Sequence, residues 1–157
     1  MSSLVYYITM KRYFFILILF ILATGFLVTL PGGNLTPESI RYVKVAGQRI
    51  RVDLAISPEA QAKGLAGRTG LSEGEGMLFI FDVPGKHLFW MKEMNFPIDI
   101  IWITENMQVV HVEKNAAPES YPETFGPDAY IKYVLEVPSG FSDKNNIKAG
   151  DPVMFSD

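Results

Sequence analysis

The chain has 157 residues, a length that suits one domain, and it contains no cysteine. Residues 1–33 hold two of the 14 basic residues and none of the 17 acidic ones, which leaves residues 34–157 with a formal charge of −5. The missing cysteines exclude disulfide scaffolds, cysteine-ligated metal sites and thiol catalysis, and the acidic balance without clustered Lys and Arg argues against a nucleic-acid partner.

The first predicted element is an apolar segment at residues 13–30, which has 18 residues and no charge. A helix of that length spans roughly 27 Å, close to the hydrocarbon thickness of a bilayer. Lys11 and Arg12 precede the segment and no basic residue follows it until Arg41. The positive-inside rule therefore predicts a cytoplasmic tail at residues 1–12 and an exported domain.

We expect residues 13–30 to be an uncleaved transmembrane anchor, and a cleaved signal segment or a buried helix are the alternatives. The expected product is a single-pass membrane protein whose C-terminal domain is periplasmic or extracellular, or a secreted domain after signal cleavage. Residues 31–40 begin with Pro-Gly-Gly-Asn and are predicted to be a short linker.

Alternating apolar and polar residues predict strands from residue 41 onward. Residues 43–45 and 49–56 alternate on either side of Ala46-Gly47, which predicts a hairpin. Ser57-Pro58-Glu59 has the form of a helix start, and Gly64 is placed to end that helix. Residues 64–76 carry five glycines and predict a loop.

The rest of the chain predicts short strands joined by loops, with one helical turn at 143–147 capped by Ser142. A long loop is expected at 116–129. The fold class is therefore mainly β, a compact antiparallel β-sandwich or barrel-like domain with one or two short helices, preceded by a single N-terminal transmembrane helix. The remaining predicted strands are 77–82, 87–92, 98–104, 107–114, 130–137 and an edge strand at 152–155.

The usual catalytic and cofactor signatures are absent. There is no nucleophile elbow, dinucleotide-binding motif or P-loop, so we expect no cofactor. His87 and His111 each lie in a strand pattern without a second histidine at metal-ligand spacing. Both are predicted to be surface residues of strands, and no metal site is expected.

The densest group of aromatic, sulfur-containing and charged side chains is residues 89–99. Asp99 interrupts an apolar run there, so its carboxylate should be buried, and Arg68 and Lys92 are the candidate partners. Asp99 is either a binding or catalytic carboxylate or a structural acid that receives backbone N–H groups. Trp90 and Trp102 could form a stacking platform or fill the core.

Glu136 is a second possible carboxylate, because it shares a strand face with Lys132 and Val134. Two carboxylates could divide acid and base roles, which makes a hydrolase one alternative function. Their separation does not follow from the sequence.

Several ordered blocks of residues resemble the DUF192 family, also called UPF0127. The resemblance covers about residues 43–155, within the β domain that we take as residues 41–157. It implies a mainly β, sandwich-like fold that is often exported or membrane-anchored in prokaryotes. It implies no mechanism. The blocks are KGLAGR at 63–68, Leu71, GMLFIF at 76–81, FWMK at 89–92, PIDI at 97–100, YVLEVPSG at 133–140 and IKAGD at 147–151.

The leading hypothesis is a membrane-anchored extracytoplasmic β domain that acts as a binding or accessory module at the cell envelope, rather than an enzyme. Its candidate partners are an envelope glycan, a small anionic ligand or a membrane-protein partner. The alternatives are an envelope glycan or peptide hydrolase that uses Asp99 and Glu136, and a structural partner of another membrane protein. The hypothetical ligand-binding residues, where the glycine loop meets residues 89–99, are Arg68, Trp90, Lys92, Asp99 and Glu136.

Overall fold

The computed structural model describes residues 35–157, so the predicted tail, the anchor or signal segment at 13–30 and the first part of the linker lie outside the described residues. Within residues 35–157, no helix is long enough and apolar enough to cross a membrane.

The described range is built from short strands with two short α-helices. Single 3-10 turns occupy Pro37–Ser39 and Pro118–Ser120. In chain order the elements are β1 Tyr42–Val45, β2 Gln48–Ala55, α1 Pro58–Lys63, β3 Glu75–Gly85, β4 Phe89–Trp90, β5 Ile98–Ile103, β6 Val109–Ala116, β7 Thr124–Phe125, β8 Ile131–Pro138, α2 Phe141–Lys144 and β9 Val153–Ser156.

Seven strands form one sheet in the order β6-β5-β8-β3-β2-β1-β9, and β4 pairs with β7 in a separate ribbon. The β2–β3 pair is parallel, and the other neighbours are antiparallel. The expectation of an antiparallel sheet is thus wrong at one pair. The physical reason is the connection: α1 and the loop after it form the crossover that a parallel pair requires.

The sheet curls into a half-barrel in which its two edge strands meet at one end. Val109 N donates to Asp151 O over 3.0 Å, and Val153 N donates to Met107 O over 2.9 Å. The mainly β, barrel-like expectation is confirmed in this form, with the edges of the sheet partly protected from further pairing.

Both faces of the sheet are buried. Val43, Leu78, Ile101 and Leu135 belong to the inner core, which the curled sheet encloses. Met77, Phe79, Ile100 and Trp102 belong to the outer core, which the loops cover. Burial on two sides explains why β5 is apolar at every position except Asp99.

The local predictions at the start of the domain are confirmed. β1 and β2 form the expected hairpin, with Val45 paired to Gln48. The Ser57 side chain accepts a hydrogen bond from Ala60 N over 3.2 Å, and Gly64 ends α1 with a φ of +50°. These features follow from short-range capping and turn chemistry.

The segment at 87–92 differs from its prediction, because only Phe89–Trp90 is a strand. Its partner Thr124–Phe125 lies in the expected long loop, with Phe89 paired to Phe125. A ribbon of two residues per strand is too short to give a periodic pattern.

Candidate functional site

A pocket of about 350 Å³ opens on the outer face of the sheet, between α1 and the segment from β3 to the end of β4. We call it the Glu136 pocket, since that side chain belongs to its lining. The size falls at the small end of the range of ligand pockets. Its aromatic and charged lining residues are Lys63, Phe79, Phe81, Lys86, His87, Phe89, Trp90, Lys92 and Glu136.

Glu136 reaches the pocket because β8 lies in the middle of the sheet. It is paired with Met77 of β3 on one side and with Ile100 of β5 on the other. Only 5% of the residue is exposed, and its Oε2 atom is buried without a hydrogen-bond partner. The apolar neighbours explain why nothing compensates the carboxyl group.

Burial raises the pKa of the Glu136 carboxyl group to about 8, and the positive charge of Arg68 opposes part of that rise. Desolvation disfavours the charged form of an acid, so the group is mostly protonated at pH 7. A protonated carboxyl group carries one O–H donor and keeps acceptor lone pairs. Glu136 therefore offers a donor and an acceptor in an apolar setting.

Gly76 allows β3 to approach β8 closely beside Glu136. A Cβ atom at this position would lie 2.7 Å from the backbone oxygen of Glu136 and 3.2 Å from Ile50. Only glycine fits that approach without a shift of the backbone.

His87 lies between β3 and β4, outside any strand, so the prediction of a strand surface residue is wrong for it. Its ring stacks on Phe81 at a centroid distance of 3.5 Å, and its Nε2 atom is buried without a partner. The carbonyl oxygen of His87 accepts a hydrogen bond from Trp102 Nε1 over 3.0 Å. The other histidine, His111, is on β6 with 42% of its side chain exposed, as predicted.

The walls of the pocket are aromatic. Phe89 makes edge contacts with Phe79 and Phe81, at centroid distances of 4.8 Å and 6.5 Å. Trp90 is 54% exposed, next to Tyr121 at 6.0 Å. Trp102 is fully buried in the outer core, so only Trp90 of the two tryptophans is available for stacking on a ligand.

Three lysines lie among the lining residues, and Glu136 is the only acidic residue among them. Lys86 pairs with Asp128 at 2.5 Å, and Lys92 lies 3.9 Å from Glu93. Both lysine side chains are at least half exposed, so these ion pairs contribute little stability. With Glu136 protonated, the lining favours an anion.

The loop after α1 is joined to the segment after β4, as the proposed site requires. Gly67 N donates to Glu93 O over 3.0 Å, and Asn95 Nδ2 donates to Arg68 O over 2.9 Å. The Arg68 guanidinium group pairs with Asp53 at 2.9 Å and is not part of the pocket lining. Arg68 acts on the pocket only through its charge.

Asp99 lies elsewhere, at the inner face of the sheet, and it is fully buried. Its Oδ1 accepts hydrogen bonds from Asn115 N over 2.9 Å and Gly140 N over 3.1 Å, and its Oδ2 accepts one from Ser142 N over 2.8 Å. The expectation that Arg68 or Lys92 pairs with Asp99 is wrong. Three backbone N–H groups stabilise the charge instead.

The helical turn near Ser142 is also built differently from its prediction. α2 begins after Gly140, and Ser142 is a buried residue inside it rather than its cap. The Asp99 carboxylate takes the place of a capping side chain, because it accepts the N–H group of Ser142.

Asp99 and Glu136 do not face each other. Asp99 pairs with Val137 and Ile100 pairs with Glu136, so the two acids occupy successive register positions and point to opposite faces. A hydrolase that uses both carboxyl groups on one substrate has no geometric support. Among residues 35–157, no three His, Asp or Glu side chains converge in a way that would hold a metal ion.

Sequence reasoning named Arg68, Trp90, Lys92 and Glu136 but missed His87 and the other two lysines of the pocket. His87 follows Pro84-Gly85-Lys86, a pattern that breaks strands. This pattern predicts that His87 lies in a loop rather than at the start of a strand at 87–92.

The model of the DUF192 family, described as an uncharacterized ACR, matches residues 41–155. No curated protein matches the chain. A solved structure of a protein of unknown function from Novosphingobium aromaticivorans DSM 12444 is similar, with 34% identity, a TM-score of 0.70, and coverage of 73% of this chain and 84% of that one. A Sinorhizobium meliloti 1021 structure described as a "putative transcription regulator" is 26% identical, with a TM-score of 0.69 and coverage of 73% and 92%.

Proposed function

The chain belongs to the DUF192 family, and we propose that its β domain is a binding module at the cell envelope that takes a small ligand into the Glu136 pocket. One observation carries the proposal. Within the described residues, three buried side-chain atoms have no hydrogen-bond partner, and two of them belong to Glu136 and His87, which line the same pocket.

An unpartnered buried polar atom costs about 1–3 kcal/mol, so neither Glu136 Oε2 nor His87 Nε2 stabilises the free fold. A ligand that forms hydrogen bonds with them removes this cost when it binds. The pocket is therefore better adapted to the bound state than to the free one, which favours a binding role.

The remaining lining defines the kind of ligand. Phe79, Phe81 and Phe89 form apolar walls, and Trp90 offers an exposed ring face. Aromatic walls favour a flat molecule, since rings stack on flat partners. The lysines among the lining residues favour an anionic group at its other end.

The envelope location rests on the sequence of residues 13–30, an uncharged run of bilayer length preceded by Lys11 and Arg12. We propose that this run anchors the domain outside the cytoplasm. Fractionation and protease protection test it: the full chain should pellet with membranes, and its domain should be digested by protease added to spheroplasts. A domain that stays protected in spheroplasts and is digested only after their lysis would contradict the proposal.

The binding role is tested by thermal shift of the full chain in mild detergent. The probes are peptidoglycan fragments, neutral sugars, aromatic carboxylates, nucleotides and inorganic phosphate. At 100 times its Kd, a probe stabilises the folded state by about 2.7 kcal/mol, a shift of several degrees.

We expect the shift to disappear in Trp90→Ala and Glu136→Ala and to persist in a matched control, Tyr130→Ala. Tyr130 is 70% exposed and does not line the pocket. A shift that survives both pocket variants, or the absence of a shift with every probe, would refute a ligand site there.

Two further experiments separate the alternatives. Release of product from a peptidoglycan fragment would support a hydrolase that uses Glu136 alone as proton donor. Replacement of residues 13–30 by an unrelated anchor would abolish function only if the segment binds a membrane-protein partner. The formal charge of −5 on residues 34–157 and the short described α-helices, of six and four residues, give no support to a nucleic-acid-binding role.

A further inference from the structure

We infer that the ligand of the Glu136 pocket is an anionic planar heterocycle whose ring edge carries a carbonyl group next to an N–H group. The ring edge pairs with the carboxyl group of Glu136, and the anionic group, a phosphate or a carboxylate, is held by the lysines. This inference rests on the proposed binding function and names the ligand class.

The orientation follows from where charge can be accommodated. Glu136 is 5% exposed, whereas the side chains of Lys86 and Lys92 are 57% and 50% exposed. Burying an ion in an apolar site costs several kcal/mol, so the charged end of a ligand stays with the solvated lysines. The end that reaches Glu136 is therefore neutral and polar.

The ring edge follows from the hydrogen-bonding capacity of Glu136. A protonated carboxyl group has one donor and a neighbouring acceptor. Its complement is an acceptor next to a donor, which is the C=O and N–H pair of a cyclic amide. Such a pair satisfies both carboxyl oxygens, including the unpartnered Oε2.

The shape of the ligand follows from the walls. The stacked pair of His87 and Phe81, at 3.5 Å and 8° between planes, lies beside the perpendicular ring of Phe89. A volume of about 350 Å³ accommodates one ring with a short substituent. Flat rings fit such walls better than puckered sugars do.

The charged and titratable groups around Glu136 come from the strands on both sides of it and from the pocket lining. Asp53 on β2 and Glu113 on β6 lie two strands away on the same face, through Met77 and Ile100. The others are Lys63 on α1, Arg68 in the loop after it, and Lys86, His87 and Lys92 between β3 and β5, with Asp128 and Glu93 beside the last two lysines. Of these, Arg68 is the group whose charge acts on Glu136. A fall in binding as the pH passes through about 8 is therefore assigned to Glu136.

The experiment measures binding to the full chain in mild detergent by calorimetry, with four probes. Uridine 5′-monophosphate and orotate carry both the cyclic amide edge and an anionic group, one as phosphate and one as carboxylate. Uridine lacks the anion, and phenyl phosphate lacks the edge. We expect an anionic heterocycle to bind at least about tenfold more tightly than phenyl phosphate, since phenyl phosphate leaves the buried Glu136 unmatched. It should also bind more tightly than uridine, which lacks the anion that the lysines attract.

Glu136→Gln and Glu136→Leu test whether Glu136 contacts the ligand. A purely structural role would not change the pH dependence of the affinity. The glutamine amide also presents a donor next to an acceptor, so we expect it to keep binding and to lose pH dependence. Glu136→Leu should lose about tenfold or more in affinity. In the wild-type protein, affinity should fall about tenfold per pH unit once Glu136 ionises above pH 8.

The outcomes separate this inference from the proposed function. Tight binding of phenyl phosphate that Glu136→Leu leaves intact would overturn the ring edge while the pocket remains a binding site. Binding of uridine as tight as that of its monophosphate would overturn the role of the lysines. If no probe in either panel binds, the proposed function fails as well. A preference for uridine 5′-monophosphate over orotate would support a nucleotide ligand, and the reverse preference would support a heterocyclic carboxylate.

Discussion

Replacement of Glu136 by glutamine should stabilise the domain at neutral and alkaline pH. Glutamine keeps the size and the hydrogen-bonding edge of the protonated acid, so the packing against Met77 and Ile100 is unchanged. It cannot ionise, and ionisation is the property that the folded state penalises. The substitution therefore isolates the effect of the buried charge.

The sign and magnitude follow from the pKa of Glu136 in the two states. In the unfolded chain the carboxyl group ionises near its ordinary pKa of 4.5, and in the folded protein near 8. Between these values folding must take up a proton, so the free energy of unfolding falls as pH rises from 4.5 to 8. At about 1.4 kcal/mol per pKa unit, the loss is about 3 kcal/mol at pH 7 and about 5 kcal/mol above pH 8.

The assay is thermal unfolding of the full chain in mild detergent, followed by tryptophan fluorescence at several pH values. A gain of about 3 kcal/mol in a domain of this size raises Tm by on the order of 10 °C. We expect Glu136→Gln and wild type to melt together near pH 4.5 and to diverge steadily up to pH 8.

Glu113→Gln is the matched control, because Glu113 lies on the same face of the sheet, paired with Ile100, and is 32% exposed. It should follow wild type within about 0.5 kcal/mol at every pH. A Glu136→Gln curve parallel to wild type, or less stable at pH 8, would refute the assignment of a protonated buried carboxyl group.

Three further substitutions test the surrounding geometry. Arg68→Gln should extend the fall in stability beyond pH 8, because the charge of Arg68 lowers the pKa of Glu136 in the folded state only. The fall should still begin near pH 4.5, and an unchanged upper limit would contradict this. Asp99→Asn should destabilise the domain by about 3 kcal/mol or more, since three backbone N–H groups lose a charged acceptor. Its control, Asp53→Asn at the surface, should change the Tm little. Equal Tm values for the two variants would favour a functional role for Asp99. Gly76→Ala should lower the stability by about 1–3 kcal/mol, because the added Cβ would lie 2.7 Å from the backbone oxygen of Glu136. Its control, Gly70→Ala, should be neutral, because no atom lies within 4 Å of the added Cβ. Equal Tm values for the two variants would refute the close approach of β3 and β8.

The sequence predicted the features that depend on neighbouring residues. The β1–β2 hairpin is specified by alternation and by the Ala46-Gly47 turn, and the Ser57 cap by its position before proline. Each of these signals lies within a few residues of the element that it determines. The apolar run at 98–104 likewise predicted a strand, and the structure places β5 between β6 and β8.

Features set by strand order could not be predicted in this way. The parallel pairing of β2 with β3 and the ribbon of β4 with β7 join segments that are distant in sequence. The partners of Asp99 lie on residues 16 to 43 positions away. The burial of Asp99 could be predicted from its apolar neighbours in sequence. Its hydrogen-bond donors could not, because they depend on how the segment at the start of α2 packs against the sheet.

The contrast between the two buried acids argues for an external partner of Glu136. Asp99 and Glu136 lie on adjacent strands, at successive register positions, in the same sheet. The fold gives Asp99 three N–H donors and leaves Glu136 Oε2 with none, beside an open pocket.

A leucine or methionine in place of Glu136 would pack against Met77 and Ile100 without the cost of a buried polar group. At neutral pH the carboxyl group therefore reduces the stability of the free domain twice: once through the ionisation cost that Glu136→Gln should remove, and once through the cost of an unpartnered buried polar group, which glutamine keeps. Only a ligand that enters the pocket and pairs with the group can return that free energy, so the stability measurement and the binding measurement test one physical claim from two sides.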